Sequence, residues 1–176
     1  AGENRALVIA SQNSVDDSSP LLTQLISPAA DEVLGAFVSP SADDDLNSIA
    51  VFVNNKAELD AGGANKFSFN FFNGNFDFTS LDLAIQGITT LYQNVAYGSF
   101  SNYTLIEPLS SDPRVTFELT SAQANNYLAE FFADFSAYDN LGTTLFASGF
   151  LSTEAQPAAE LWIVLPDGTT SPLELI

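Results

Sequence analysis

The chain of 176 residues lacks cysteine, histidine and methionine, and it has only four Lys and Arg residues. Without histidine, no side chain has an ordinary pKa that makes it titrate near neutrality. Without cysteine there is no thiolate nucleophile and no disulfide bond, and soft metals lose their preferred ligands. We therefore predict that the protein is not an enzyme and needs no cofactor.

The shortage of basic residues also excludes two classes of partner. With 22 acidic residues, the formal net charge is −18 at pH 7. Nucleic acids and anionic membrane surfaces bind proteins through Lys and Arg side chains that neutralise phosphates. No apolar run in the sequence approaches the roughly 18 residues of a membrane helix. We expect no nucleic-acid partner and no membrane insertion.

The absence of methionine includes the first position, which is Ala1. Removal of a secretory signal peptide would produce such a start, and so would trimming of an initiator methionine before a small residue. The acidic composition suits a salty exterior, where screening over roughly 10 Å or less weakens self-repulsion. We expect a secreted protein, extracellular or at the cell surface, with a core built from its 15 phenylalanines.

What the sequence does contain is a series of β-strand patterns. Apolar and polar residues alternate in segments 67–71, 81–85 and 115–119, which places each apolar set on one face of a strand. Short strands separated by turn signals about every ten residues predict an all-β protein with an antiparallel β-sandwich. Further strands are predicted at 5–11, 48–54, 89–92, 103–106, 127–135, 143–151, 160–165 and 172–176, with a hairpin turn at Pro166-Asp167-Gly168.

The composition changes near residue 62. Residues 1–62 are rich in Ser, Asp and Ala, and they add N-terminal strands and acidic loops to the sandwich predicted for 63–176. Ser19-Pro20 and Ser27-Pro28 each place a capping serine before a proline, which favours short helical turns. The first region is interpreted either as an incomplete sandwich or as a segment for strand exchange.

Two segments of the first region have counterparts in the second. Residues 6–11 resemble 144–148, and residues 49–54 resemble 161–166. Either the first region repeats the closing strands of a sandwich, or the similarity is chance among strands built from few apolar residue types.

A series of short motifs runs through residues 66–176. They are Phe71-Phe72-Asn73-Gly74, Leu81-Asp82-Leu83, residues 94–103 with the turn Tyr97-Gly98, residues 146–151 with Ala147-Ser148-Gly149-Phe150, and residues 165–169. Together they resemble a bacterial extracellular domain of unknown function. The resemblance implies an immunoglobulin-like fold in a secreted, surface-sorted protein, often with tandem domains, and no established catalytic residues. The histidine common at that family's first strand end is absent, with Asn73 near its place, and residues 12–47 match no motif.

Two acidic runs are candidate sites for a hard cation. Asp16 and Asp17 form one run, and Asp43, Asp44 and Asp45 form the other. Carboxylate oxygens are ligands that Ca²⁺ prefers, but neither run has the spaced Asp-x-Asp-x-Asp-Gly order of a calcium loop. The alternative interpretation is a solvated acidic loop with diffuse cation binding.

Three phenylalanines, Phe72, Phe76 and Phe78, crowd around Asn73-Gly74-Asn75. Displayed on a loop, they would form a subunit interface. The alternative is a hairpin that packs these side chains into the core.

A second aromatic set could bind a surface glycan by stacking. It consists of Tyr92, Tyr97, Tyr103 and Trp162. Trp162 lies between Leu161 and Ile163 in an apolar strand, and for this residue a core position is the favoured interpretation.

Paired carboxylates are the least favoured site. Glu118, Glu130 and Asp134 could serve a carboxylate-based hydrolase. Each alternates with core residues along a strand, so an outward-facing, solvated position explains them better.

The N-terminal strand is apolar on both faces, since Leu7, Val8 and Ile9 are consecutive. A strand of this kind must be covered, and a neighbouring subunit could provide the cover by β-augmentation. These features together predict a secreted structural subunit of a filament, sheath or surface polymer, whose partners are copies of itself. The alternative is a non-catalytic carbohydrate-binding or adhesin-like module.

Overall fold

Two units of different size make up the chain, Ala1–Ala57 and Glu58–Ile176. The sequence places this division near residue 62. The computed structural model describes residues 5–9, 22–27, 34–40, 49–55, 67–106, 113–123, 126–137, 142–148 and 159–176. The five aspartates of the two acidic runs lie outside the described residues.

The described strands of the first unit form two separate antiparallel pairs. β1 (Arg5–Ile9) pairs with β2 (Leu22–Ile26), and β3 (Leu34–Pro40) pairs with β4 (Ile49–Asn55). The predictions of β1 and β4 are confirmed, whereas β2 and β3 were not predicted as strands.

The helical turn expected after Pro20 is wrong at Leu22, which begins β2. Pairing with β1 gives this backbone hydrogen-bond partners that an isolated turn would lack. The second predicted helical turn, after Ser27, lies outside the described residues.

The described residues of the second unit form ten strands and one short 3₁₀-helix. The strands are β5 (Phe67–Asn73), β6 (Ser80–Ile85), β7 (Thr89–Ala96), β8 (Thr104–Ile106), β9 (Arg114–Ser121), β10 (Asn126–Asp134), β11 (Gly142–Ser148), β12 (Glu160–Val164), β13 (Thr170–Pro172) and β14 (Glu174–Leu175), and the helix is Phe135–Ala137. No helix in the described part of the chain is long and apolar enough to span a membrane.

These ten strands form two five-stranded sheets. The first sheet has the order β14-β10-β9-β6-β7, and the second has the order β13-β12-β11-β5-β8. Alternate residues of both sheets meet in one hydrophobic core, as the predicted period of two requires. Its central aromatic group is Phe69, Phe117 and Phe135, all at most 2% exposed. The predicted all-β, sandwich-like architecture is confirmed.

One strand pair departs from the predicted antiparallel arrangement. β5 and β11 are parallel, with Phe71 opposite Leu145 and Phe72 opposite Phe146. Parallel neighbours need a long crossover, and here the chain supplies one, since all of β6, β7, β9 and β10 lie between β5 and β11. After β5 the chain forms β6 and β7 in the first sheet and β8 beside β5, then β9 and β10 in the first sheet, before β11 runs parallel to β5.

The C-terminal segment is divided between the two sheets. The sequence predicts one strand over 172–176, but β13 pairs with β12 in one sheet and β14 pairs with β10 in the other. The chain crosses at Leu173, whose N–H donates to the Leu161 carbonyl at 2.8 Å. The predicted hairpin turn before β13 is confirmed, with Gly168 at a φ of 88°.

The similarity between the two regions does not extend to strand pairing. β11 pairs with β12, but their counterparts in the first unit, β1 and β4, pair with β2 and β3. Within the described residues β1 and β4 do not pair with each other, so strand pairing gives the repeat no support, and the repeat stays a prediction.

Candidate functional site

Among the described residues of the second unit, the most exposed large apolar side chains lie at the edge of its first sheet. Leu175 in β14 is 56% exposed, and the adjacent Ile176 is 68% exposed. β14 covers only two positions of β10, with Leu175 opposite Phe131 and Glu174 opposite Phe132. In the described residues no strand pairs with the other side of β14. Exposed apolar side chains beside the unpaired side of an edge strand are features of an edge that can accept another strand.

The predicted interface residues of β1 lie in an intact antiparallel pair. Leu7, Val8 and Ile9 are opposite Gln24, Thr23 and Leu22, respectively. Among the described residues β1 pairs only with β2. An isolated two-stranded sheet is at best marginally stable in water.

The predicted interface at Phe72 is wrong. β5 continues as far as Asn73, so Phe72 belongs to a strand rather than a loop, and it is fully buried. Its ring stacks on Phe100 with a centroid distance of 4.4 Å and lies 5.5 Å from the ring of Phe146. Phe72 therefore stabilises the fold and is not displayed to a partner.

The other two predicted interface phenylalanines are half-buried. Phe78 packs against the hydrophobic core. Phe76 lies edge-on to Tyr97, with ring centroids 5.7 Å apart. The structure around these residues is therefore closer to the alternative prediction, in which the phenylalanine side chains pack onto the core.

Two buried asparagines hold this turn to both sheets. The Asn73 amide donates to the Val95 carbonyl at 3.0 Å and, at the longer distance of 3.4 Å, to that of Phe78. Its side-chain oxygen accepts the N–H of Asn75 at 3.1 Å. The Asn75 side chain in turn accepts the N–H of Asp77 at 3.0 Å. Asn73 thus links β5 to β7 and to the turn.

Gly74 is required where this turn passes under an aromatic ring. A Cβ there would overlap the ring of Phe146 and lie 3.1 Å from the Ala147 carbonyl oxygen. We expect Gly74→Ala to lower the free energy of unfolding by about 1–3 kcal/mol through overpacking, measured by urea denaturation. Phe146→Leu should remove most of this cost in a double-mutant cycle. An equal cost in both backgrounds would show that the ring is not the obstacle.

Trp162 is not in the core, contrary to the favoured interpretation. Leu161 and Ile163 point into the core, so Trp162 lies on the outer face of the second sheet and is half-buried. Its indole N–H donates to Glu160 Oε2 at 2.9 Å. In register, Trp162 lies between Phe146 and Pro172 on the neighbouring strands.

The predicted stacking role of Tyr92 is also not supported by its position. The side chain is 7% exposed, and its hydroxyl donates to the Phe69 carbonyl. Burial raises the pKa of Tyr92 to about 12, so the phenol remains a protonated donor at neutral pH. Tyr97 and Tyr103 are half-buried.

A groove lies between the edge strands of the two sheets. It is lined entirely by residues of the segment 91–104, which runs from β7 through the Tyr97-Gly98 turn to β8, and its volume is about 570 Å³. We call it the β7–β8 groove. Sequence reasoning identified the turn but not the groove, because a groove depends on which strands end each sheet.

The candidate carboxylates lie elsewhere, on the outer face of the first sheet. Glu118 and Glu130 are directly opposite each other on β9 and β10, and Asp134 is opposite Arg114. Gln86 Nε2 donates to Glu130 Oε1 at 3.2 Å. None of the three carboxylates lines the groove, and their outward orientation is confirmed. Within the described residues there is no group of three or more His, Cys, Asp or Glu that could hold a metal.

No protein-family model and no curated protein matches this chain.

Proposed function

We propose that this protein is a secreted structural subunit, with an immunoglobulin-like sandwich, that assembles with copies of itself into an extracellular filament, sheath or surface polymer. The observation that carries the proposal is the exposed apolar edge at β14, where Leu175 and Ile176 are 56% and 68% exposed. Burial of such side chains contributes about 25 cal/mol per Å². A strand added at this edge would pair with the backbone of β14, extend the sheet, and bury part of the apolar surface of both side chains against its own.

The donor in this proposal is β1 of a neighbouring copy. Its sequence, Arg5-Ala6-Leu7-Val8-Ile9, is apolar on both faces, and β2 occupies only one of its sides in the described residues. Donation therefore does not require β1 to leave β2. A two-stranded sheet that joins a five-stranded one gains the stability that it lacks alone.

Charge also favours this pairing. Arg5, one of only four basic residues in the chain, is the first residue of β1. The acceptor edge carries the exposed Glu174, next to Leu175. An opposite-charge pair across two strands contributes about 0.2–1 kcal/mol and favours one register over another.

Because donor and acceptor differ, this contact is heterologous. Each copy would use β1 at one contact and the β14 edge at the other. Contacts of this type close into rings or continue as open filaments. The absence of cysteine and methionine suits such a polymer outside the cell, since there is no side-chain sulfur to oxidise.

The double substitution Leu175→Lys and Ile176→Lys tests the acceptor edge. We expect it to abolish polymers seen by negative-stain electron microscopy, because a strand that added there would have to desolvate two ammonium groups. Thermal stability should change little, since both side chains are exposed.

Ile88→Lys is the matched control. Ile88 is 51% exposed and lies in the turn between β6 and β7, away from β14. Assembly by this variant should be that of the unmodified chain. Equal loss of polymers in both variants would point to a general effect of surface charge, and unaltered polymers in the double variant would exclude the β14 edge.

A further inference from the structure

The β7–β8 groove is an open cleft of the size of a small-molecule site. Its volume of about 570 Å³ lies within the range of about 300–1,000 Å³ that is usual for small-molecule sites. One wall is β7, the last strand of the first sheet, and the other is the segment from Ser99 to Thr104, which leads into β8. The groove lies wholly within the second unit.

The second wall is fixed by backbone hydrogen bonds to β5. Ser101 N–H donates to the Phe71 carbonyl at 2.8 Å, and Gly98 N–H donates to the Asn73 carbonyl at 2.7 Å. The Phe71 N–H donates to Ser101 Oγ at 2.8 Å. A ligand would therefore meet a preformed site, which reduces the ordering cost of binding.

The chemistry of the groove is neutral and amphipathic. Every lining residue is uncharged, although the chain as a whole carries a net charge of −18. Leu91, Ala96 and Phe100 give it apolar surface. Three exposed amide side chains, those of Gln93, Asn94 and Asn102, supply both donors and acceptors. None of these amides makes a hydrogen bond within the described residues.

We propose that the β7–β8 groove binds a neutral saccharide. Sugar hydroxyls both donate and accept hydrogen bonds, as the three amide side chains do. The C–H faces of a sugar ring match the apolar surface of Leu91, Ala96 and Phe100. Ionic ligands are disfavoured because no lining side chain offers them a counter-charge. This site is independent of the proposed assembly, which uses β14 and β1.

An extended peptide is the competing occupant, since β7 is an edge strand. Its backbone, however, is irregular. The register between β6 and β7 shifts twice, between Leu81 and Leu83 and between Leu83 and Ala84. Asn94 has a φ of 53°, and its N–H donates to Asp82 Oδ1 at 2.6 Å. Bulges of this kind interrupt the regular row of N–H and C=O groups that an added strand needs.

The test uses the full chain on a printed array of neutral, uronic-acid-bearing and sulfated oligosaccharides. Titration calorimetry then follows with the neutral oligosaccharide that gives the strongest signal. We expect binding to neutral members only. Gln93→Ala, Asn94→Gly and Asn102→Ala should each weaken binding about five- to tenfold, the usual effect of losing one or two hydrogen bonds. Asn94→Gly keeps the backbone N–H and tolerates the positive φ.

Gln123→Ala is the matched control, because Gln123 is an exposed amide in the turn between β9 and β10, outside the groove. It should leave the dissociation constant unchanged. Absence of binding to every neutral oligosaccharide would overturn the proposal, and so would preference for an anionic one. Binding that survives in a variant combining Gln93→Ala, Asn94→Gly and Asn102→Ala would also overturn it. Since the groove variants leave β14 intact, their effect on polymers should be nil, which separates this result from the test of assembly.

Discussion

Replacing Asn73 by leucine is expected to lower the free energy of unfolding of the second unit by about 2–5 kcal/mol. The side chain is fully buried. Its NH₂ group donates to the Val95 carbonyl at 3.0 Å, and its oxygen accepts the N–H of Asn75 at 3.1 Å. Leucine would leave both of these groups unpaired, at about 1–3 kcal/mol each. Urea denaturation followed by circular dichroism measures the effect.

Asn70 in the same strand is the matched control. It is 1% exposed, but neither atom of its amide group has a hydrogen-bond partner among the described residues. Substitution of an unpaired buried amide by an apolar side chain of similar size is nearly neutral or stabilising. We therefore expect Asn70→Leu to leave the free energy of unfolding unchanged or to raise it. Equal costs for the two leucine variants would mean that the Asn73 network does not stabilise the turn.

Replacing Phe69 by alanine is expected to cost about 3–5 kcal/mol, because it opens a cavity between the two sheets. Phe69 is fully buried, and its ring lies edge-on to Phe117 at 5.6 Å and stacked with Phe135 at 6.2 Å. It also lies 6.2 Å from the ring of Tyr92. Aromatic pairs of this geometry add about 0.5–1.5 kcal/mol beyond the burial of area.

Two further variants calibrate this measurement. Phe69→Leu keeps part of the volume and should cost less than the alanine substitution. Ile88→Ala removes an exposed side chain and should lie within about 0.5 kcal/mol of the unmodified protein. A cost for Phe69→Ala no larger than that for Ile88→Ala would contradict the placement of Phe69 at the centre of the core.

The strands that could be predicted from the sequence are those in which apolar residues facing the core alternate with more polar residues on the outer face of the sheet. In β6, Leu81, Leu83 and Ile85 alternate with half-buried residues, as the period of two requires. β2 and β3 were not predicted because Pro20 precedes β2 and Gly35 lies within β3. Proline and glycine usually indicate a loop or a break in a strand. Their strand partners stabilise them, and sequence pattern does not identify partners.

Residue type alone was a poor guide to exposure at the candidate site. Trp162 and Phe72 both lie on the outward face of the second sheet, yet Phe72 is fully buried and Trp162 is half-buried. The difference depends on neighbours such as Phe100, which reaches Phe72 through an isolated bridge. Likewise, the apolar edge at Leu175 follows from the crossing at Leu173 between sheets, which a single predicted strand over 172–176 could not show.

In both proposals the protein binds its partners at the edges of its sheets and not through reactive side chains. β14 presents an apolar edge, whereas β7 is a bulged edge beside a neutral groove. Bulges protect an edge strand from unwanted pairing. The β14 edge of the first sheet is therefore suited to strand addition, whereas the bulged β7 edge is not.

Sedimentation velocity of the full chain at several protein concentrations, in low and high salt, tests the central claim of self-assembly most directly. We predict species larger than the 18.8-kDa monomer, increasing with concentration. They should also increase with salt, because screening over roughly 3 Å at 1 M, instead of about 10 Å at 0.1 M, weakens repulsion between subunits of charge −18. A single 18.8-kDa species under all of these conditions, with and without Ca²⁺, would contradict the account.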